Sequence, residues 1–179
     1  MPDYDKRVLT LWGCIGVFLA YSLFLQFYPH PTKLDRTLDA VIYVDKDPSS
    51  VTKTLVRLKG TYFRPIWSKE QFDGRILIKG IPLTKTYSPF SVTATERRNG
   101  IHLSTLAYQS SRNEFEHSLI YYSPLFSKLA ITAPASWVGN SDPHKSIVIV
   151  APASTYEEAQ AVLDSMRAKF GEGFYPPQR

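Results

Sequence analysis

The side chains that could perform metal or acid–base chemistry are few and scattered along this chain of 179 residues. Its four histidines are His30, His102, His117 and His144, and no two stand four residues apart, the spacing that puts two ligands on one face of a helix. His102 and His117 fall on predicted strands that could be neighbours, an arrangement more typical of side-chain packing than of metal binding. The sequence therefore predicts neither a metal site nor a cofactor.

Motifs for nucleophilic catalysis or phosphate binding do not occur in the sequence. It contains no Gly-x-Gly-x-x-Gly or Gly-x4-Gly-Lys-Ser/Thr loop, and no serine occupies a Gly-x-Ser-x-Gly turn. Glu96, Glu114, Glu116 and Asp142 could supply a carboxylate pair for glycoside chemistry, but scattered acids in this number are expected by chance. We assign no catalytic residue, and a cell-envelope enzyme that uses a histidine and a carboxylate is kept as an alternative.

Two segments carry side chains that are typical of binding surfaces. Residues 62–69 interleave large apolar and basic groups, and residues 136–145 form a long polar connection before an apolar run. Aromatic and arginine side chains often anchor interfaces because they bury a large area at a small entropic cost. The candidate binding residues are Tyr62, Arg64, Trp67, Lys69, Trp137, His144 and Lys145. The competing interpretations are that Trp67 folds back onto the core and that the second segment is a plain connector.

Residues 8–28 form an uncharged and largely apolar run of 21 residues. A helix of this length spans about 31 Å at about 1.5 Å per residue, which matches the hydrocarbon core of a bilayer. Trp12 and Tyr28 suit the two membrane interfaces, and Pro29 ends the helix. We therefore predict a transmembrane helix over residues 8–28, inserted in the lipid bilayer, with a cytoplasmic tail over residues 1–7.

Cleavage of this segment is the competing interpretation. A secretory signal has a shorter apolar region and small residues before the cut, whereas the nearest match here places bulky Phe18 at position −3 and Ala20 at −1. A lipoprotein signal would use Cys14, the sole cysteine, but the apolar run continues well beyond it. Flanking basic residues do not fix the orientation. We predict a single-pass cell-membrane protein with its N-terminus inside and its C-terminal domain outside, because long domains translocate largely regardless of charge.

The chain after the apolar run reads as a tether and then a soluble domain. Prolines and a turn near Asp47 mark residues 29–50 as the tether, in which residues 41–44 form either a first strand or a docking segment. Residues 51–179 alternate β-rich runs with turn residues and end in one amphipathic helix. About seven strands and one C-terminal helix predict an α+β fold, a mainly antiparallel sheet packed on the helix. A β-barrel or sandwich with the helix outside is the alternative.

Turn and cap signals predict several boundaries within the domain. Asn99-Gly100 is the clearest hairpin turn, and Asp73-Gly74 is a second hairpin-type dipeptide. The apolar residues 147–150 are typical of a strand that is buried on both faces. The helix over residues 155–170 is expected to begin at a capping Ser154 or Thr155, with a glutamate three residues later, and to end at Gly171.

Three short stretches resemble small membrane-anchored proteins of Bacillus-like, Gram-positive bacteria. They are residues 59–62 (KGTY), residues 72–78 (FDGRILI) and residues 149–153 (IVAPA) before the helix. The resemblance covers about a quarter of the chain and involves turn and core residues. It implies an outward-facing domain on a membrane anchor, and because such proteins have no assigned activity, it implies no functional residues.

The expected function is a non-enzymatic, membrane-tethered extracytoplasmic binding domain. The partner is expected to be a protein, an anionic wall polymer or a lipid headgroup. The net charge of +5 would attract the two anionic partners, and ordinary solubility is the competing explanation of that charge. Scattered basic residues do not support nucleic-acid binding. A structural subunit of a membrane complex is a further alternative.

Small residues in the apolar run could form the contact of a homodimer through the membrane helix, and a featureless anchor is the competing interpretation. Gly16 and Ala20 are four residues apart with Gly13 nearby, a spacing that lets two helices approach closely. We expect the purified chain to dimerise in mild detergent, and replacing Gly16 and Ala20 with leucine to abolish the dimer. Analytical ultracentrifugation measures this, and a wild-type chain that stays monomeric at high concentration would rule the dimer out.

Overall fold

The structure, a computed structural model, describes most of the chain as an α+β protein with two α-helices, four short 3-10 helices and nine strands. The described residues are 3–28, 31–45, 47–65, 69–85, 91–109, 115–140, 142 and 144–175. The α-helices are α1 (Asp3–Phe27) and α2 (Tyr156–Phe170). The strands are β1 (Pro31–Val44), β2 (Thr52–Phe63), β3 (Gln71–Ile78), β4 (Val92–Thr93), β5 (Glu96–Arg98), β6 (Ile101–Gln109), β7 (Phe115–Tyr122), β8 (Leu129–Pro134) and β9 (Ser146–Ala151).

Helix α1 covers residues 8–27 of the predicted apolar run 8–28 and begins five residues before it. Its segment Lys6–Phe24 has a mean hydropathy of 1.6, and none of it is buried against the rest of the chain. The helix continues into the polar tail, where the Thr10 hydroxyl donates to the Lys6 carbonyl at 2.9 Å. It is therefore long and apolar enough to cross a membrane, a property that a signal sequence near the N-terminus shares.

The strands form one antiparallel sheet in the order β4-β3-β2-β1-β9-β8-β7-β6-β5. The prediction of an α+β fold is confirmed, but the number of strands is nine rather than about seven among the described residues. One extra strand is β1. The other arises because the predicted strand around residues 90–96 is divided into the short strands β4 and β5.

Strand β1 corrects the prediction of a tether over residues 29–50. It pairs with β2 from Pro31↔Phe63 to Ile42↔Thr52, and its second half also pairs with β9. Its inward positions are apolar at Leu34, Leu38, Ala40 and Ile42, which belong to or pack against one core. The outward positions between them include charged side chains, so the alternation of a half-exposed strand resembles a polar linker in sequence.

The sheet curls until its two ends approach each other. The Ser104 hydroxyl of β6 donates to the Thr93 carbonyl of β4 at 2.7 Å, and the Tyr108 hydroxyl donates to the Ile76 carbonyl of β3 at 2.8 Å. The Thr95 amide also donates to the Leu103 carbonyl at 2.7 Å. These bonds join the two ends and enclose the larger of two cores inside the curl.

The second core lies outside the curl, beneath α2. Ala159, Leu163, Met166 and Phe170 form the buried stripe of the helix, and it packs on outward residues of the central strands. Residues 147–150 are fully buried, with Ile147 and Ile149 in the inner core and Val148 and Val150 under the helix. The predicted strand with two buried faces is therefore confirmed.

The predicted boundaries of α2 are confirmed by its cap contacts. Thr155 is the N-cap and accepts a hydrogen bond from the Glu158 amide at 3.3 Å, while the Glu158 carboxylate accepts from the Ser154 amide at 2.7 Å. This reciprocal pairing satisfies two amide groups at the start of the helix. Gly171 ends the helix with a φ of 81°.

Only one of the two predicted hairpin turns is a turn. Asn99 and Gly100 adopt φ values of 45° and 80° between β5 and β6, as the hairpin requires. Gly74 instead lies inside β3, opposite Gly60 of β2. A Cβ added at Gly60 would overlap the Asp73 carbonyl oxygen and lie 2.5 Å from the Gly74 Cα. The glycine at position 74 therefore serves a close approach of two strands rather than a turn.

This close approach predicts that Gly60→Ala lowers the free energy of unfolding by about 3 kcal/mol or more, because the added methyl group has only backbone to displace. Gly80→Ala is the matched control. Gly80 has open space around its Cβ position, and its φ of 89° alone costs about 1–2 kcal/mol for an L-residue. Urea unfolding of the full chain in mild detergent measures both, and an equal loss in the two variants would contradict strand crowding.

Candidate functional site

A cluster of buried polar side chains lies where the curled sheet closes. Glu70 ends the β2–β3 connection, Tyr62 lies near the end of β2, and His102 and Tyr122 are register partners on β6 and β7. The Ala94 amide donates to the Glu70 carbonyl at 3.1 Å, which attaches this connection to the chain just after β4. The curl of the sheet thus brings together residues that are far apart in sequence.

Glu70 is the centre of the cluster. Its side chain is only 3% exposed, and its Oε2 accepts a hydrogen bond from the Tyr62 hydroxyl. His102 Nδ1 lies 3.4 Å from the same oxygen, and His102 has no solvent exposure. The His102 ring stacks on the ring of Tyr122 at a centroid distance of 5.1 Å. A buried carboxylate needs such partners because removing its charge from water is costly.

Two arginines provide the opposite charge for Glu70 from the surface. Arg64 Nε lies 3.5 Å and Arg97 Nη1 lies 3.7 Å from Glu70 Oε1. Their side chains are 59% and 57% exposed, in contrast to the carboxylate between them. Among the described residues Glu70 Oε1 has no hydrogen-bond partner, so both contacts are ion pairs beyond hydrogen-bond range. We call Arg64, Glu70 and Arg97 the arginine site.

The protonation states follow from burial. Burial lowers the pKa of His102; the charge of Glu70 opposes this shift, and the charges of Arg97 and Arg64 add to it. Burial also raises the pKa of Tyr62, and its hydrogen bond to Glu70 and the charge of Glu70 raise it further. The pKa of Tyr122 is raised by burial and then by the charge of Glu70. Burial therefore favours the uncharged forms of His102, Tyr62 and Tyr122. The formal charges of Arg64, Arg97 and Glu70 add up to +1.

Accessibility limits the chemistry of this cluster. The groups that could transfer protons, Glu70 and His102, are buried, whereas the groups at the surface are guanidinium ions. Guanidinium groups recognise phosphate and carboxylate through paired N–H donors and do not release protons at neutral pH. In the described conformation the site is therefore suited to anion binding rather than to acid–base catalysis.

The first predicted binding segment is only partly a surface. Arg64 and Lys69 are exposed as predicted, and Arg64 belongs to the arginine site. Tyr62 is only 1% exposed, so its predicted place on a surface is wrong. The Tyr62 ring lies at an inward position of β2 and is part of the inner core. Its hydroxyl donates a hydrogen bond to the Glu70 carboxylate. Trp67 lies outside the described residues.

The second predicted segment is also divided between core and surface. Trp137 is 5% exposed and packs edge-on against Tyr108 at a centroid distance of 5.3 Å, so its predicted surface position is wrong. His144 and Lys145 are exposed and line a groove that His117 also lines. His102 and His117 do lie on neighbouring strands, but their register partners are Tyr122 and Ala107, so the two histidines are not paired across the strands.

Three members of the cluster were not predicted from the sequence: Glu70, Arg97 and Tyr122. No sequence motif contains residues 70, 97 and 122 together, because only the curl of the sheet makes them neighbours. A weak signal was present in Glu70, a charged residue one position before the alternation of β3 begins.

A largely apolar groove of about 530 Å³ lies at the opposite end of β1 and β2. Ile42, Val44, Leu55, Val138 and Ile147 are among its apolar lining residues. Lys53 and Lys79, both exposed, also line it. We call it the distal groove, since it lies where β1 ends rather than where β1 follows the apolar helix.

The small residues of α1 have no partner within the described part of the chain. No atom beyond their immediate helix surroundings lies within 4 Å of a Cβ position at Gly13 or Gly16, and Ala20 is exposed. The predicted homodimer through these residues stays a prediction.

Comparison with known protein families, with curated proteins and with solved structures found no match to this chain.

The lowered pKa of His102 predicts a loss of stability in weak acid. The unfolded chain binds a proton near the usual histidine pKa of about 6.5, and the folded chain binds it only at lower pH. The contribution is therefore fully present above about pH 6.5 and is lost as the pH falls, by up to about 1.4 kcal/mol per pH unit.

We expect His102→Asn to remove this slope between about pH 6.5 and 5, a window above the range in which most carboxylates titrate. His117→Asn, which changes an exposed histidine, is the control and should keep the wild-type slope. Urea unfolding at several pH values measures the difference. Identical slopes in wild type and His102→Asn would show that His102 does not titrate differently on folding.

Proposed function

We propose that this chain is a single-pass, membrane-tethered binding domain without enzymatic activity, which acts on the outer side of the cell membrane and binds an anionic partner. The observation that carries the proposal is the apolar segment Lys6–Phe24, of which nothing is buried by the domain. Burying apolar side chains removes them from water at a gain of about 25 cal/mol per Å². Lipid is the solvent that offers this gain to a lone apolar helix.

The domain itself has no need of the helix for its stability. Both cores are built from residues 34–174 of the strands, their connections and α2, and neither contains a residue of α1. Helix α1 is therefore available for insertion, and the link between Tyr28 and Pro31 keeps the domain beside the membrane.

Binding is supported by the arginine site. Two guanidinium groups, each more than half exposed, converge on one carboxylate oxygen that is itself buried. Lys69 adds a further exposed positive charge next to Glu70 in sequence. This arrangement favours a ligand with negative charge, in agreement with the net charge of +5 on the chain.

An envelope enzyme is the second candidate, and one observation favours it: His102 lies 3.4 Å from the carboxylate of Glu70. A general base must reach a proton of its substrate within hydrogen-bond distance. Because His102 has no exposure and Glu70 has 3%, a substrate would meet the arginines first. We therefore place binding before catalysis.

If α1 is a membrane anchor, we expect the full-length chain to stay in membranes after an alkaline wash and to keep residues 1–28. Replacing Val17 and Leu19 with lysine should release the chain, since two charges at the centre of a membrane helix cost about 6 kcal/mol together. Val138→Lys with Leu119→Lys, at partly exposed positions of the domain, is the matched control and should be retained. The retained fraction and the intact mass measure the outcome.

Orientation is measured on the same membranes. A Lys145→Cys label site in a Cys14→Ser background should react with a membrane-impermeant maleimide on intact cells, because Lys145 is exposed on the domain. Labelling only after lysis would place the domain inside. A mature chain that starts after the apolar run and leaves the membrane in a salt wash would contradict the tether.

A further inference from the structure

The arginine site lies at the end of the sheet that is connected to the apolar helix. Strand β1 begins at Pro31, whose register partner is Phe63, the last residue of β2. Arg64 follows Phe63 directly, and Phe63 pairs in turn with Gln71, the neighbour of Glu70. Paired strands lie about 5 Å apart. The arginine site is therefore beside the first residue of β1, at what we call the proximal end.

The link between the helix and the proximal end is short. Tyr28 is hydrogen-bonded to Phe24 at the end of the helical segment, and Pro31 already belongs to the sheet. Three peptide units extend at most about 11 Å. The headgroup layer on each side of a bilayer is about 6 Å thick. With Tyr28 at the edge of the hydrocarbon, Pro31 is at most about 11 Å from that edge, so the proximal end is held within reach of the headgroup layer.

The proximal end carries a surplus of positive charge among the described residues. Lys33, Arg64, Lys69 and Arg97 have largely exposed side chains. The acids near them in the sheet are already engaged. Glu70 lies between the arginines, Asp73 accepts a hydrogen bond from Gln71, and Asp35, two residues from Lys33 on β1, is paired with Arg57 at 3.4 Å. Glu96 is paired with Arg98 at 2.5 Å. A net positive surface this close to a bilayer attracts anionic lipids.

The two arginines are close enough to contact one phosphate group together. Both nitrogens lie within 3.7 Å of Glu70 Oε1, so they are at most about 7 Å apart. Two N–H···O bonds of about 2.9 Å to different oxygens of one phosphate can connect nitrogens at such a separation. Glu70 reduces the repulsion between the guanidinium groups without engaging their N–H groups in hydrogen bonds.

We propose that Arg64 and Arg97 clamp the phosphate of an anionic phospholipid in the membrane that holds α1, and so dock the proximal end of the domain on the bilayer surface. This inference rests on the membrane tether proposed above. Lys69 and Lys33 strengthen the attraction through their charge, and the distal groove is left facing away from the bilayer. Free phosphate compounds share the same chemistry, and the experiment separates them from lipid.

The test uses the full chain in nanodiscs of phosphatidylcholine, with and without phosphatidylglycerol, and measures hydrogen exchange at the amides of residues 69–71 and 95–98. We expect exchange at these amides to be at least about fivefold slower in the anionic discs, the factor that one basic residue near an anionic surface contributes. Arg64→Gln with Arg97→Gln should abolish the difference. Lys53→Gln with Lys79→Gln, which removes the same charge at the distal groove, should preserve it.

A third variant separates the loss of lipid binding from the loss of the fold. Removing both arginines leaves the charge of Glu70 buried without compensation, which is destabilising. Arg64→Gln, Glu70→Gln and Arg97→Gln together remove the carboxylate along with its partners, and the glutamine can still accept from Tyr62. Near-ultraviolet circular dichroism reports on the fold of each variant. Loss of lipid-dependent protection in the folded triple variant supports the clamp.

The outcomes that overturn the inference are distinct. Equal exchange in both kinds of disc, or protection that survives in the folded triple variant, would show that the arginines do not hold lipid. The same protection on adding soluble glycerol phosphate to phosphatidylcholine discs would assign the site to a free anion. A chain that elutes apart from the discs would instead contradict the tether of the proposed function.

Discussion

Burial of the Glu70 carboxylate constrains one whole end of this domain. A carboxylate away from water is tolerated only when its oxygens meet donors or opposite charges. One oxygen meets Tyr62 and faces His102, and the other faces Arg64 and Arg97. These partners come from β2, the β2–β3 connection, β5 and β6, so one charge fixes how both ends of the sheet meet. The inner core on the other side of the ring of Tyr62 depends on this closure.

The curl of the sheet connects this constraint with function. A flat sheet of nine strands would hold β3 and β6 far apart, whereas hydrogen bonds from Ser104 and Tyr108 bring β6 to the β3–β4 end. The absence of side chains at Gly60 and Gly74 lets β2 and β3 approach closely. The result is a buried negative charge under two exposed positive ones, a device that keeps guanidinium groups oriented while their donors stay available.

The sequence predicted those features that depend on neighbours along the chain. The cap at Thr155, the end at Gly171, the turn at Asn99-Gly100 and the doubly buried residues 147–150 follow from local patterns, and all are confirmed. The hairpin turn predicted from the dipeptide Asp73-Gly74 is wrong, because Gly74 lies within β3 and pairs with Gly60 of the neighbouring strand. Strand β1 was missed for a similar reason. Its outward positions carry charged side chains, so the alternating apolar positions that face the core resemble a polar linker.

The candidate site was predictable only in part for the same physical reason. Arg64 and Lys69 were identified from composition, since basic residues near aromatic ones are typical of surfaces. Tyr62 and Trp137 were placed at a surface because residue type does not reveal which face of a strand or turn a ring takes. Glu70 and Arg97 become a site through the closure of the sheet, and no window of sequence contains both.

The position of β1 governs when this domain can assemble during synthesis. The strand leaves the ribosome first after the apolar helix, yet one of its two neighbours is β9, where Val41 meets Val150 near the other end of the chain. Contacts so distant in sequence form late, because closing the long intervening loop has to precede them. Helix α1 is thus complete while the sheet that follows it is still open, and the first strand gains its second neighbour only when β9, the last strand, has been synthesised.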